Sequence, residues 1–289
     1  MNLRGTGVAL VTPFNEDKSI DFDGLKNVVN HCINGGVDYL VALGTTGETV
    51  VLNAKEKQQV LDKVKEYTNG RVPLVAGFGG NNTQLIIENI NSFNLEGYSA
   101  ILSSSPNYNK PSQEGIFQHY KAIAQNTPLP IILYNVPSRT GQNIKAETTI
   151  RLANNFKNII GIKEASNDML QCMEVAKNTA DDFQLISGDD IHALPIISFG
   201  GVGVISVVAQ AIPKEFTTVI NEALSGNYAK ASEELYGILD LIKLIFEENN
   251  PAGIKAAIAH LNLSKNELRL PNVPVNKDLE SRINQFFSK

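Results

Sequence analysis

The residue whose chemistry stands out first is a lysine that closes an apolar run, Asn158-Ile159-Ile160-Gly161-Ile162-Lys163-Glu164. An amine aimed into a desolvated pocket loses its preference for the ammonium form and can attack a ketone. A strand-end lysine can instead snorkel to water or pair with Glu164 or Asp189, and position alone leaves both outcomes open. A carbinolamine formed on such an amine must lose water, so it needs a proton shuttle close by. The phenols of Tyr134 and Tyr108 and the hydroxyls of Thr45 and Thr46 can supply one. Arg139, in the Pro/Gly-bounded loop Tyr134-Asn135-Val136-Pro137-Ser138-Arg139-Thr140-Gly141, has the donors to clamp a carboxylate. Each of these residues also has a plainer reading, since strand-end tyrosines are more often core or rim and loop arginines are more often solvated.

What would bring them together is the order of elements along the chain. Short β-rich runs occur at Val8–Val11, Val37–Leu43, Val72–Phe78, Ser99–Leu102, Pro130–Tyr134, Ile159–Lys163, Phe183–Ile186 and Val202–Val207. Between them lie apolar residues at helical spacing, such as Leu25, Val28, Val29 and Cys32. Asn53-Ala54-Lys55-Glu56 has the form of a capping box with Asn in the lead position. The strand candidates are near-continuous apolar runs, as expected of parallel strands covered on both faces. Eight β/α alternations, the last helix running from about Lys214 to Ser225, predict an α/β protein of the (β/α)8 TIM-barrel type. A doubly wound open sheet is the rival. After Gly226-Asn227 the strand pattern stops, and Tyr228–Glu248, Pro251–Leu263 and Asn276–Phe287 read as helical. The expected division is a catalytic barrel over residues 1–225 and a C-terminal helical extension over 226–289, packed on the outside or used in an oligomer contact, without chemistry of its own.

In such barrels the working groups sit just past the C-terminal ends of the strands. Those positions here hold Gly44-Thr45-Thr46-Gly47-Glu48, Gly79-Gly80-Asn81, Ser103-Ser104-Ser105-Pro106-Asn107-Tyr108, the Tyr134–Gly141 loop, Lys163-Glu164, Gly188-Asp189-Asp190 and Ser206. Small residues, hydroxyls, one lysine and one arginine converge there, which suits a small, polar, anionic molecule.

Several function classes are disfavoured. The net charge is −5 and no basic stretch is interleaved with aromatics, so a nucleic-acid surface is not expected. No apolar run reaches the ~18 residues of a membrane span, and the N-terminus lacks the apolar core of a secretory signal. Cys32 and Cys172 read as free buried thiols, with the cytoplasm as the default compartment. His31, His119, His192 and His260 have no metal-ligand spacing. Gly77-Phe78-Gly79-Gly80 lacks the full dinucleotide pattern, and no nucleophile-elbow or phosphate-loop motif occurs.

Four segments in order, Gly44–Glu48, Tyr134–Gly141, Gly161-Ile162-Lys163-Glu164-Ala165 and Gly200-Gly201-Val202-Gly203-Val204-Ile205-Ser206, resemble the pyruvate-dependent class I aldolase (N-acetylneuraminate lyase) superfamily, and within it the dihydrodipicolinate synthase family. The likeness continues into the C-terminal helices. It implies that Lys163 forms a Schiff base with pyruvate, and that Tyr134 moves protons through Thr45 to Tyr108, which in this family reaches in from a neighbouring subunit. It implies that Thr46 and the Ile205 backbone hold the pyruvate carboxylate, with Gly188 also in the substrate pocket. Arg139 is placed near the carboxylate of aspartate 4-semialdehyde, the second substrate. No cofactor and no metal are implied, and the expected assembly is a homotetramer, a dimer being the alternative. Arg139 separates this family from the N-acetylneuraminate lyases, which typically carry an apolar residue where Ser138-Arg139 stands. A silent keto-acid-binding barrel is the remaining alternative. In lysine-inhibited members an interface pocket uses His, Glu and Tyr; the matching positions here are Ala54, Lys57, Leu85 and Asn107, which implies weak or absent feedback by lysine.

Overall fold

The structure, a computed structural model, describes residues 1–288. In chain order the elements are β1 (Gly5–Ala9), α1 (Phe22–Asn34), β2 (Tyr39–Ala42), α2 (Ala54–Thr68), β3 (Leu74–Phe78), α3 (Thr83–Ser92), β4 (Ala100–Ser104) and α4 (Gln113–Gln125). They continue with β5 (Ile131–Asn135), the one-turn α5 (Pro137–Thr140), α6 (Ala146–Asn155), β6 (Ile159–Glu164), α7 (Met169–Asn178), β7 (Gln184–Ser187), α8 (Ala193–Ser198), β8 (Gly203–Ser206) and α9 (Pro213–Leu224). Three further helices, α10 (Tyr228–Phe246), α11 (Ala252–His260) and α12 (Lys277–Phe286), complete the chain.

All eight strands are parallel and pair in sequence order, and β8 pairs back with β1, so the sheet is a closed barrel and the open-sheet rival is excluded. Two apolar layers follow from strand alternation. Tyr39, Val41, Val75, Leu102, Ile132 and Ile186 fill the barrel interior, whereas Leu40, Ile101, Leu133, Ile162, Leu185 and Val204 face the helices. Both faces are covered, which is why the strands read as unbroken apolar runs. The helices start where side-chain acceptors meet free N–H groups: Asp21, Asn53, Asn82, Ser112, Asp168 and Asn276 each cap one, and Asn53 with Glu56 forms the expected reciprocal box.

The first strand begins earlier than its apolar pattern predicts, at Gly5 rather than Val8. Gly5 and Gly7 have no side chain to register in a hydrophobic pattern, and what recruits them is closure of the barrel. Gly5 pairs with Gly203, whose φ is +151°, and a Cβ on Gly203 would lie 2.0 Å from the Gly5 carbonyl oxygen. The C-terminal helices have the predicted extents to within three residues, but the expectation of an outside cap without chemistry needs correction. Leu241, Ile245, Ile254 and Ile258 belong to the same apolar cluster as the barrel's helix layer, and the α10–α11 connection reaches the mouth of the barrel. No described helix is long and apolar enough to cross a membrane.

Candidate active site

Lys163 enters the barrel because β6 carries a bulge. Ile131 on β5 pairs with Ile159, but Ile132 pairs with Gly161, leaving Ile160 as an extra residue. Alternation therefore breaks once: Ile159 and Ile162 face the helices, Ile160 faces the interior, and Lys163 is turned inward in place of Ile162. Gly161 admits the close approach, since a Cβ there would sit 2.4 Å from the Gln184 carbonyl oxygen.

The lysine is 5% exposed. Its register partner is Tyr134, and Nζ lies 4.4 Å from the centre of the Tyr134 ring. The two carboxylates that could have neutralised it are engaged elsewhere. Glu164, on the outer face of β6, accepts from Asn135 Nδ2 at 2.9 Å, Gln171 Nε2 at 2.8 Å and the Ser166 N–H at 2.7 Å. Burial pushes the Glu164 carboxyl upward, with those donors opposing it. Asp189 faces His192 Nδ1 at 3.2 Å and accepts from the Ile191 N–H.

Around Lys163 lies a cavity of about 170 Å³, lined at the C-terminal strand ends by Thr45, Thr46, Tyr134, Arg139, Gly188 and Asp189, among others. Thr45 and Thr46 sit on a short 3-10 turn, Thr45–Gly47, just past β2. Arg139 is carried by α5, whose first residue is a proline and whose end is Gly141 in a left-handed conformation, φ +77°. The Arg139 guanidinium on the wall, with the Asp189 carboxylate already engaged, favours an anionic occupant. A second cavity of about 290 Å³ shares Thr45, Tyr134 and Arg139 with the first and extends past Thr49, Val50, Gly79, Gly80, Ser104 and Asn107.

Most of the residues singled out from sequence thus converge, and two stand apart. Ile205 does not line the cavity; its side chain is packed in the barrel interior, 1% exposed, while Val207 two residues on reaches the wall. Tyr108 is not on a strand end beside Tyr134: it lies four residues beyond β4, at φ +69°, 88% exposed, and lines neither cavity of its own chain. Of the three serines in its segment only Ser104 reaches a cavity; Ser103 and Ser105 are fully buried.

Other contributors were not legible from sequence. Phe246 and Asn250, from the C-terminal helical region, line the first cavity. Asn250 Nδ2 donates to Thr46 Oγ1 at 3.1 Å, and the Asn250 backbone carbonyl accepts from Arg139 Nη2 at 3.2 Å. Asp190 is 1% exposed and accepts from the Val207 N–H at 3.2 Å and the Val208 N–H at 3.0 Å, pinning the turn after β8. Burial pushes its carboxyl up to about 6, with the Ser206 hydroxyl and those N–H groups opposing. Its place in Gly188-Asp189-Asp190, just past a strand, was the one available signal. Among the described residues no cluster of His, Cys, Asp or Glu could hold a metal ion, and both cysteines are free and buried.

Residues 2–289 match the model of the dihydrodipicolinate synthetase family. The chain is 49% identical over 282 residues to a 4-hydroxy-tetrahydrodipicolinate synthase of Flavobacterium psychrophilum, covering 98% of this chain and 96% of the relative. Among solved structures it resembles a dihydrodipicolinate synthase from Thermotoga maritima, with a TM-score of 0.96, 36% identity and coverage of 100% and 98% of the two chains. It resembles equally the chloride-inhibited dihydrodipicolinate synthase from Acinetobacter baumannii complexed with pyruvate, with a TM-score of 0.96, 36% identity and coverage of 99% and 98%.

Proposed function

The chain belongs to the dihydrodipicolinate synthetase family, and from that premise we propose that it condenses pyruvate with L-aspartate 4-semialdehyde to give 4-hydroxy-tetrahydrodipicolinate, the committed step toward diaminopimelate and lysine. The observation that carries this reading is Lys163, buried in a small polar cavity against Tyr134 with Thr45, Thr46 and Arg139 on the same wall.

Nζ of Lys163 adds to the keto carbon of pyruvate, and the carbinolamine loses water to form an iminium ion. The cation draws electrons from the adjacent methyl group, which gives up a proton and becomes an enamine carbon nucleophile. That carbon attacks the aldehyde of the semialdehyde, whose oxygen takes up a proton. The substrate's own amino group then displaces Lys163 from the imine carbon, closing the ring and freeing the enzyme. Tyr134 gives and takes the protons of these steps, a role supported by its ring against Lys163 and by Thr45 on the same cavity wall. Thr46 and the strand-end backbone near Ile205 and Gly188 receive the pyruvate carboxylate, and Arg139, where the two cavities join, receives that of the semialdehyde. The scheme uses no metal or organic cofactor.

The third member of the proton relay is Tyr108 from a neighbouring subunit of a homotetramer. Its exposure on this chain, and the second cavity that opens beside Tyr134 and Thr45, support that reading. A dimer is the smallest assembly that satisfies it, and the cytoplasm is the proposed compartment. The test is treatment with pyruvate and borohydride followed by peptide mass analysis, then a panel of aldehyde acceptors with pyruvate held fixed. An unmodified Lys163 would sink the proposal, and a preference for sugar aldehydes would move the chain to another aldolase activity.

A further inference from the structure

Glu48 ends the Gly44–Glu48 segment and has no part in the chemistry above, yet it is 2% exposed and held at φ 50°, ψ 35°. Its Oε1 pairs with Lys255 Nζ at 2.5 Å, both side chains being fully buried. Lys255 lies in α11, also donates to the Glu267 carbonyl at 2.8 Å, and stands 4.2 Å over the Phe14 ring. The other carboxylate oxygen of Glu48 accepts from the Arg269 N–H at 3.2 Å. Burial pulls Lys255 below the usual lysine range, and the Glu48 carboxylate against it opposes that fall.

A buried ion pair is a poor source of stability, because desolvating two charges consumes what their attraction returns. An apolar pair of similar volume would hold the fold as well. What it would lack is direction: a carboxylate with fixed donors on both oxygens sets the orientation of the backbone that carries it. Here that backbone closes the turn bearing Thr45 and Thr46, through the Glu48 N–H to the Thr45 carbonyl at 3.0 Å. The same C-terminal segment grips the turn a second time, where Asn250, two residues before α11, donates to Thr46 Oγ1. We propose that the buried Glu48–Lys255 pair is a positioning device that aims Thr45 and Thr46 at the cavity shared by Lys163 and Tyr134, so that α11 belongs to the catalytic unit. The inference rests on reading Lys163 as the pyruvate-binding lysine.

The experiment compares wild type with the double variant Glu48→Gln/Lys255→Met. It measures the melting temperature, the pyruvate concentration that half-saturates borohydride trapping on Lys163, and kcat. Positioning predicts a melting temperature kept or raised, a half-saturating concentration raised about tenfold or more, and a kcat lowered by a similar factor. Trapping and turnover within about twofold of wild type in a folded double variant overturn the proposal. If the double variant does not fold, Glu48→Asp, which keeps the charge and shortens the reach, is read in the same way, and wild-type constants there overturn it too. Wild type left unmodified by pyruvate and borohydride overturns both this inference and the functional reading. Wild type modified, with the variant equal to it, overturns this one alone.

Discussion

Lys163 and Tyr134 are register partners on neighbouring strands, with the amine 4.4 Å from the centre of the phenol ring. The next pair along, Asn135 and Glu164, is hydrogen-bonded at 2.9 Å on the opposite face of the same two strands. The strand ends are thus tied together on the outside while the amine and the phenol face each other inside. Rigid support of this kind is what lets an amine and a proton carrier work without reorganising at each step.

Replacing the amine separates fold from chemistry. Lys163→Ala removes a side chain from a cavity wall, so circular dichroism should report an unchanged fold. Borohydride trapping of pyruvate should vanish, and kcat should fall by about a thousandfold or more.

The phenol has a different signature. Tyr134→Phe keeps the ring against Lys163 and deletes only the hydroxyl. Pyruvate should still be trapped on Lys163, more slowly, while kcat drops by roughly a hundredfold to ten-thousandfold. Trapping and turnover slowed by the same small factor would argue against a proton-transfer role.

The bulge should be sensitive to a single methyl group. Gly161→Ala puts a Cβ only 2.4 Å from the Gln184 carbonyl oxygen, so β6 and β7 must part or the bulge must shift. The expected cost is about 1–3 kcal/mol in denaturant unfolding, together with loss of trapping because Lys163 is re-aimed. A variant with normal trapping would mean that the bulge does not set the lysine's direction.

Acid should weaken the fold through His119. The ring is 4% exposed, and burial lowers it from 6.5 to about 4. Below pH 6.5 the unfolded chain takes up a proton that the folded ring refuses, so this contribution is present above 6.5 and is lost as pH falls toward 4. The stability advantage of wild type over His119→Asn should shrink across that window by up to about 3 kcal/mol. Urea midpoints measured from pH 7 to pH 4, with unchanged slope, check it.

Feedback by lysine should be weak or absent. Ala54, Leu85 and Asn107 are exposed and Lys57 half-buried, and none of the four offers a carboxylate to an incoming ammonium group. Saturating free lysine in a standard assay should leave the rate unchanged; inhibition at low lysine would refute this.

The barrel and its alternation were legible because parallel strands buried on both faces leave apolar runs, and helices leave caps and a 3.6-residue rhythm, in the chain itself. So was the convergence of Lys163, Tyr134, Thr45, Thr46, Arg139 and Gly188 on one cavity wall, since residues at the C-terminal ends of those runs share the mouth of the barrel. The start of glycine-rich β1 is not marked in the sequence, because residues without side chains leave no pattern. The inward turn of Lys163 was also beyond the sequence, because it depends on one extra residue in β6 that only pairing with β5 reveals. Tertiary structure alone decided the rest: Tyr108 stands away from its own site, Asp190 pins the turn after β8, and a helical tail delivers Asn250 and Lys255 to a turn some two hundred residues earlier. Local pattern records which face of an element is buried; which distant charge or amide meets it is settled only when the chain closes on itself.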